Sequence, residues 1–103
     1  IKKNRYGETP LFISCQRGDE NIIQYLVERG ADMNIENDNG EIPLFMACKR
    51  GHINTIKYLI EHGADINKEN DHDETPLFIT CQRGNEETIK YLIKHGADID
   101  KFN

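Results

Sequence analysis

The apolar residues of this chain fall in short clusters that return at a fixed distance. Leu11, Phe12 and Cys15 mark one face of a first helix. After a break at Gly18, the stripe Ile22, Ile23, Leu26 and Val27 marks a second helix. A polar, turn-rich stretch from Asn34 to Glu41 follows, and its Asn39-Gly40 pair is a strong tight-turn signal. The order then recurs. Thr9-Pro10-Leu11-Phe12 returns as Ile42-Pro43-Leu44-Phe45 and as Thr75-Pro76-Leu77-Phe78, a period of 33 residues. Cys15, Cys48 and Cys81 share one phase, as do Arg17-Gly18, Arg50-Gly51 and Arg83-Gly84. Thirteen of 29 aligned positions are identical in all three copies, which chance does not produce.

A period of this length points to a stack of supersecondary units, each burying its apolar face against the next. The boundaries follow from the phase. Residues 1–8 are the end of a preceding hairpin, 9–41 and 42–74 are two full copies, and 75–103 are a third copy running into a further hairpin. Each copy is expected to hold two antiparallel helices, over 10–17 and 20–29 in the first and at the same places 33 and 66 residues on. Hairpin loops are expected near 34–41 and 67–74. Proline at the first helical position lacks only an N–H that would be unpaired there anyway, and the preceding Thr9 or Thr75 hydroxyl caps the helix start. Ile42 leaves the middle copy without that cap. Gly30 suits a left-handed helix end. Asp73 stands where Gly7 and Gly40 stand in the other hairpins, and an Asp enters the left-handed region less readily than Gly. Glu20 and Glu86 occupy the place of the apolar Ile53, so the second helices of the outer copies are expected to start more loosely.

These motifs resemble the ankyrin repeat family over nearly the whole chain. That family has a 33-residue unit opening on T-P-L-H-x-A, matched here by Thr75-Pro76-Leu77-Phe78-Ile79-Thr80, and closing on G-A-D-x-N, matched by Gly63-Ala64-Asp65-Ile66-Asn67. The resemblance implies an all-α solenoid of helix-turn-helix units with projecting β-hairpin loops. It also implies a protein-protein interaction module. The family's adjustable contact positions lie at the hairpin tips and on the exposed face of the first helices. In this chain they fall on Arg5, Tyr6, Glu8, Gln16 and Arg17, then Asp38, Asn39, Glu41, Lys49 and Arg50, then Asp71, His72, Glu74, Gln82 and Arg83. Related repeats are hydroxylated at the Asn of the closing motif with a Leu eight residues upstream. Asn34 with Leu26 and Asn67 with Leu59 match that pattern, while Asp100 replaces the Asn in the third copy. Phe12, Phe45 and Phe78 depart from the usual His and add apolar area.

Composition narrows the partner class. The net charge is −5, so binding driven by phosphate neutralisation is disfavoured and no nucleic-acid partner is expected. No run of about 18 apolar residues is present, so no membrane insertion is expected. Charge is uneven: +2 over residues 1–8, −5 over 9–41, −2 over 42–74 and zero over 75–103. A partner with a basic patch could read that gradient, although a solvated acidic exterior accounts for it equally. Ile1 is not a native start, and neither end carries a polar capping repeat, so the chain is read as a piece of a longer array. The uncapped ends would then support head-to-tail self-stacking.

Candidate chemistry is sparse. Three cysteines do not close a disulfide framework and suit a reducing, intracellular setting such as the cytoplasm. Neighbouring helices pack roughly 8–10 Å apart, beyond the about 7 Å that a disulfide spans between Cα atoms, so the three are read as core residues at one structural position. His52, His62, His72 and His95 do not converge with Cys at zinc spacing, so no metal and no cofactor are expected. No nucleophile motif or phosphate loop appears, and the chain is not expected to be an enzyme. Arg17, Arg50 and Arg83 stand out. Arg is favoured in interfaces because its planar fork pairs with carboxylates and stacks on rings. They are expected in a row with Glu8, Glu41 and Glu74 close by, either open to a partner or paired within the stack. The alternative to a binding module is a structural spacer within a larger array.

Overall fold

A computed structural model describes residues 2–100. Six helices follow in order: α1 (Pro10–Arg17), α2 (Glu20–Glu28), α3 (Pro43–Arg50), α4 (Ile53–Glu61), α5 (Pro76–Arg83) and α6 (Glu86–Lys94). No strand occurs among the described residues, and the hairpin loops are tight turns. The 33-residue phase is kept: each helix begins at the equivalent residue of its copy, and the outer second helices are not shortened at Glu20 or Glu86.

Local chemistry sets the helix ends. Thr9 Oγ1 accepts from Phe12 N–H at 3.1 Å, and Thr75 Oγ1 accepts from Phe78 N–H at 3.2 Å. Ile42 has no hydroxyl, and there Phe45 N–H turns to the Ile42 carbonyl at 3.0 Å instead. α1 stops at Gly18, whose φ of 73° is a conformation that L side chains rarely adopt, and the Gly18 N–H closes on the Ser14 carbonyl. At the far end of the second helices, His62 and His95 hydrogen-bond through Nδ1 to the carbonyls of Tyr58 and Tyr91 and stack on those rings at 4.0 Å.

The core runs along the stack as one band. Leu11, Cys15, Ile23, Leu44, Ala47, Cys48, Ile56, Leu59, Leu77 and Leu92 are buried in a single cluster. First helices pack side by side, α1 on α3 and α3 on α5, and this layer holds more of the contact than the second-helix layer. The result is a slab of 34 × 26 × 19 Å.

The middle copy is sealed on both sides and the outer copies are not. Every residue from Gly40 to Cys48 is buried. Pro43 and Pro76 are buried, whereas Pro10 is exposed. Cys15 and Cys48 are buried, whereas Cys81 is exposed, which corrects the reading of three equivalent core cysteines. Cys81 shares their phase, but nothing among the described residues covers it. On the opposite end, Leu11, Leu26, Ala31 and Ile35 line an open groove of about 270 Å³.

Candidate binding face

Each hairpin is built on an asparagine. Asn37 Oδ1 accepts from the N–H of Asn39 at 3.0 Å and of Glu41 at 2.9 Å, while its amide donates to Glu41 Oε1 at 2.9 Å. Asn4 with Glu8 and Asn70 with Glu74 repeat the arrangement. Glu41 is buried at 6% exposure, and Glu8 and Glu74 are half-buried. The three glutamates expected beside the arginines therefore hold the hairpins. Sequence reasoning took them for contact residues and passed over the asparagines. The identical phase of Asn4, Asn37 and Asn70 was the signal that could have found them.

The tips are strung together through the backbone. Asp38 N–H donates to the Tyr6 carbonyl and Asp71 N–H to the Asn39 carbonyl, each at 3.0 Å. This leaves the side chains of Arg5, Tyr6, Asp38, Asn39, Asp71 and His72 exposed along one edge. Arg5 lies over the Tyr6 ring, 5.3 Å from its centroid. Asp73 takes the left-handed conformation expected of it, with φ of 63°. Its counterpart Gly40 sits so close to Asp71 that a Cβ there would approach the Asp71 backbone nitrogen to 3.0 Å.

Beside the tips runs the exposed side of the first helices. Arg17, Lys49, Arg50, Gln82 and Arg83 are exposed and Gln16 is half-buried. No first helix contains an acidic residue. The ion pairs among the described residues are Lys57–Glu87, Lys68–Glu36 and Lys90–Glu86, so none of these arginines meets a carboxylate. The Arg–Glu pairing weighed from the sequence does not form among the described residues; one oxygen of each glutamate is held by an asparagine instead.

One arginine is nevertheless used internally. Arg83 Nη1 donates to the Lys49 carbonyl at 2.8 Å, with its guanidinium over Gly51. At the preceding junction His52 does this work: its Nε2 bonds the Gln16 carbonyl at 2.9 Å, with the ring over Gly18. Arg17 and Arg50 make no such contact.

The sequence match agrees with this architecture. The family model described as Ankyrin repeats (3 copies) matches residues 29–103, and the single Ankyrin repeat model matches residues 6–38. The chain belongs to the ankyrin-repeat family. Among curated relatives, it is similar to the mouse (Mus musculus) Protein fem-1 homolog A-like, 55% identical over 31 residues, which is 30% of this chain and 5% of that protein. The match thus spans about one repeat of a much longer relative. Ankyrin-repeat stacks are in general protein-interaction modules.

The closing-motif asparagines of these ankyrin repeats also bind across junctions. Asn34 Oδ1 accepts from Asp65 N–H at 3.3 Å, and Asn67 Oδ1 accepts from Asp98 N–H at 2.9 Å. The Asn67 amide donates to the Gly96 carbonyl at 3.1 Å. No helix among the described residues is long and apolar enough to cross a membrane. No group of three or more His, Cys, Asp or Glu side chains converges to hold a metal ion among those residues.

Proposed function

We propose that this chain binds a protein partner on the face formed by the hairpin tips and the exposed side of α1, α3 and α5. The observation that supports this reading is the row of exposed cationic side chains, Arg17, Lys49 and Arg50, none of which forms an ion pair among the described residues. An exposed group that the fold does not use is open to a partner at no structural cost. The reading assigns the chain no catalysis. Pull-down from the source proteome with the unaltered chain, Arg50→Ala and Lys57→Ala tests it. Arg50→Ala is expected to weaken capture more than Lys57→Ala, because Lys57 lies on α4. Equal effects would move the site elsewhere, and no specific capture at all would favour the spacer reading.

Asn34 and Asn67 remain proposed hydroxylation positions. An unmodified intact mass of the protein from its native source would remove that proposal.

The open ends support a second reading, head-to-tail stacking of copies. In the internal junctions, the hairpin glycines 7 and 40 face Asp38 and Asp71. Between two stacked chains the same register brings Asp73 of one toward Arg5 of the next, an acid toward a base, with the junction opened enough to admit a side chain where the internal ones hold glycine. Such heterologous contacts propagate unless they close. Sedimentation over a broad concentration range is expected to show growing assemblies, and a monomer at every concentration would contradict it.

A further inference from the structure

The net charge of −5 suggests a basic partner, but the charge is not spread evenly over the fold. The first helices carry Arg17, Lys49, Arg50 and Arg83 and no acid. The second helices carry Glu20, Glu28, Glu61, Glu86 and Glu87 against Lys57, Lys90 and Lys94. The acidic surface therefore lies on the second helices and loops, including Asp38, Asp71 and Asp73 at the hairpin tips, while the first-helix part of the binding face is cationic.

We propose that the partner of this face is an acidic polypeptide segment, bound extended along the row from copy one to copy three. This rests on the reading that the first-helix face is the binding face. Three observations converge on it. The cations recur once per repeat on helices packed side by side, a spacing of about 8–10 Å. An extended chain advances about 3.3 Å per residue, so carboxylates at every third position recur at about 10 Å and meet that spacing. The hairpin glutamates each give one carboxylate oxygen to Asn4, Asn37 or Asn70, and none of the first-helix cations forms an ion pair among the described residues. His52 sharpens the arrangement. By taking the Gln16 carbonyl it leaves the Arg50 fork unspent, whereas Arg83 is tied to the Lys49 carbonyl. Arg50 and Arg17 are thus the forks available for bidentate pairing with carboxylate, and Lys49 adds a point charge beside them. At the start of the row, Arg5 over the exposed Tyr6 ring offers one aromatic surface as an end stop. A uniform polyanion such as single-stranded nucleic acid is a poorer fit, because the exposed Asp38, Asp71 and Asp73 of the neighbouring tips repel an unbroken phosphate backbone, whereas a peptide can set uncharged residues opposite them.

The test is selection of a random 12-residue peptide library on the immobilised 103-residue chain, followed by titration of the enriched peptides. Enrichment of peptides with Asp or Glu at every third position is expected. Their affinity is expected to fall with added salt and to drop about tenfold in a double Arg17→Glu, Arg50→Glu variant whose melting temperature is unchanged. Lys94→Glu, on α6, is expected to leave binding within about twofold. Peptides with Lys in place of the acids should regain binding to the double variant. Enriched peptides that are not acidic but still lose binding in the double variant would overturn the acidic partner and keep the face. Enriched peptides insensitive to the double variant would overturn the face itself. An absence of enrichment, or equal displacement by single-stranded nucleic acid, would overturn the proposal.

Discussion

The two junctions between repeats solve the same problem with different residues. At the first, the imidazole of His52 lies over Gly18 and bonds the Gln16 carbonyl. At the second, Asn85 stands in the place of His52 and is occupied as the cap of α6, accepting from Thr88 N–H at 3.2 Å. Arg83, two residues earlier, therefore folds over Gly51 and bonds the Lys49 carbonyl. The first junction adds the Asn54–Glu20 hydrogen bond and the Lys68–Glu36 ion pair; the second adds the Lys57–Glu87 ion pair and Lys57 over the Tyr91 ring. What must be satisfied is an orphan carbonyl at the end of a first helix. Whichever side chain satisfies it is lost to the surface, and the alternative one is left for binding. The first junction closes that carbonyl with an imidazole ring and the second with a guanidinium.

The largest expected disturbance is removal of the buried phenyl ring of the middle copy. Phe45 is 1% exposed in the middle copy, so Phe45→Ala should cost about 3–5 kcal/mol and loosen the whole stack. Phe78, its half-buried counterpart in the third copy, should cost clearly less, as chemical denaturation of both variants will show. Equal losses would mean that the end copy is sealed after all.

Next comes the glycine beneath the histidine. Gly18→Ala would place a Cβ 2.7 Å from the His52 ring at a left-handed φ, where a side chain is already unfavourable. Gly84 has a similar φ of 77° but nothing within 4 Å. Gly84→Ala should therefore cost about 1–2 kcal/mol from conformation alone, and Gly18→Ala more, by thermal melting. If the two variants melt together, the ring contact at the first junction contributes nothing.

Smaller still is the carbonyl bond itself. His52→Ala should cost about 1 kcal/mol, the net value of one hydrogen bond, and Arg83→Ala less because that side chain is exposed.

Thiol chemistry sharpens the contrast between sealed and open copies. Burial pushes the Cys15 thiol up to about 12, and the Cys48 thiol to about 12 against a small opposing pull from Thr80. At pH 8 the native chain should take one equivalent of a thiol reagent, on the exposed Cys81, by intact mass. Because the folded values lie above the ordinary value of 9, ionisation favours the unfolded chain as pH rises. This stabilisation is complete below pH 9 and is lost as pH climbs toward 12, so the melting temperature should decline over that window. A second equivalent at pH 8 would show that Cys15 or Cys48 is open.

Much of this was legible in the chain itself. Helix limits followed from Pro at the start, Gly at the end and the 33-residue phase, and they fell within a residue of the observed ends. The left-handed Asp73 followed from its glycine counterparts. Two things were not legible. The engagement of Glu41 by Asn37 depends on a turn geometry that folds residue i+4 back onto i, which an apolar pattern does not encode. The exchange of His52 for Arg83 depends on which side chain of the next repeat reaches a carbonyl more than 30 residues away. Charge counted along the sequence points to the acidic first copy, whereas the first helices of all three copies carry cations and no acid.

The central claim is that partners are held by the first-helix face, and amide and guanidinium NMR of the labelled chain during titration with an enriched acidic peptide tests it most directly. Signals of Gln16, Arg17, Lys49, Arg50 and the hairpin tips should shift together and saturate at one equivalent, with Gln24, Lys57 and Glu61 on the second helices unmoved. Shifts confined to the second helices, with the Arg17 and Arg50 guanidinium signals unchanged, would contradict the account.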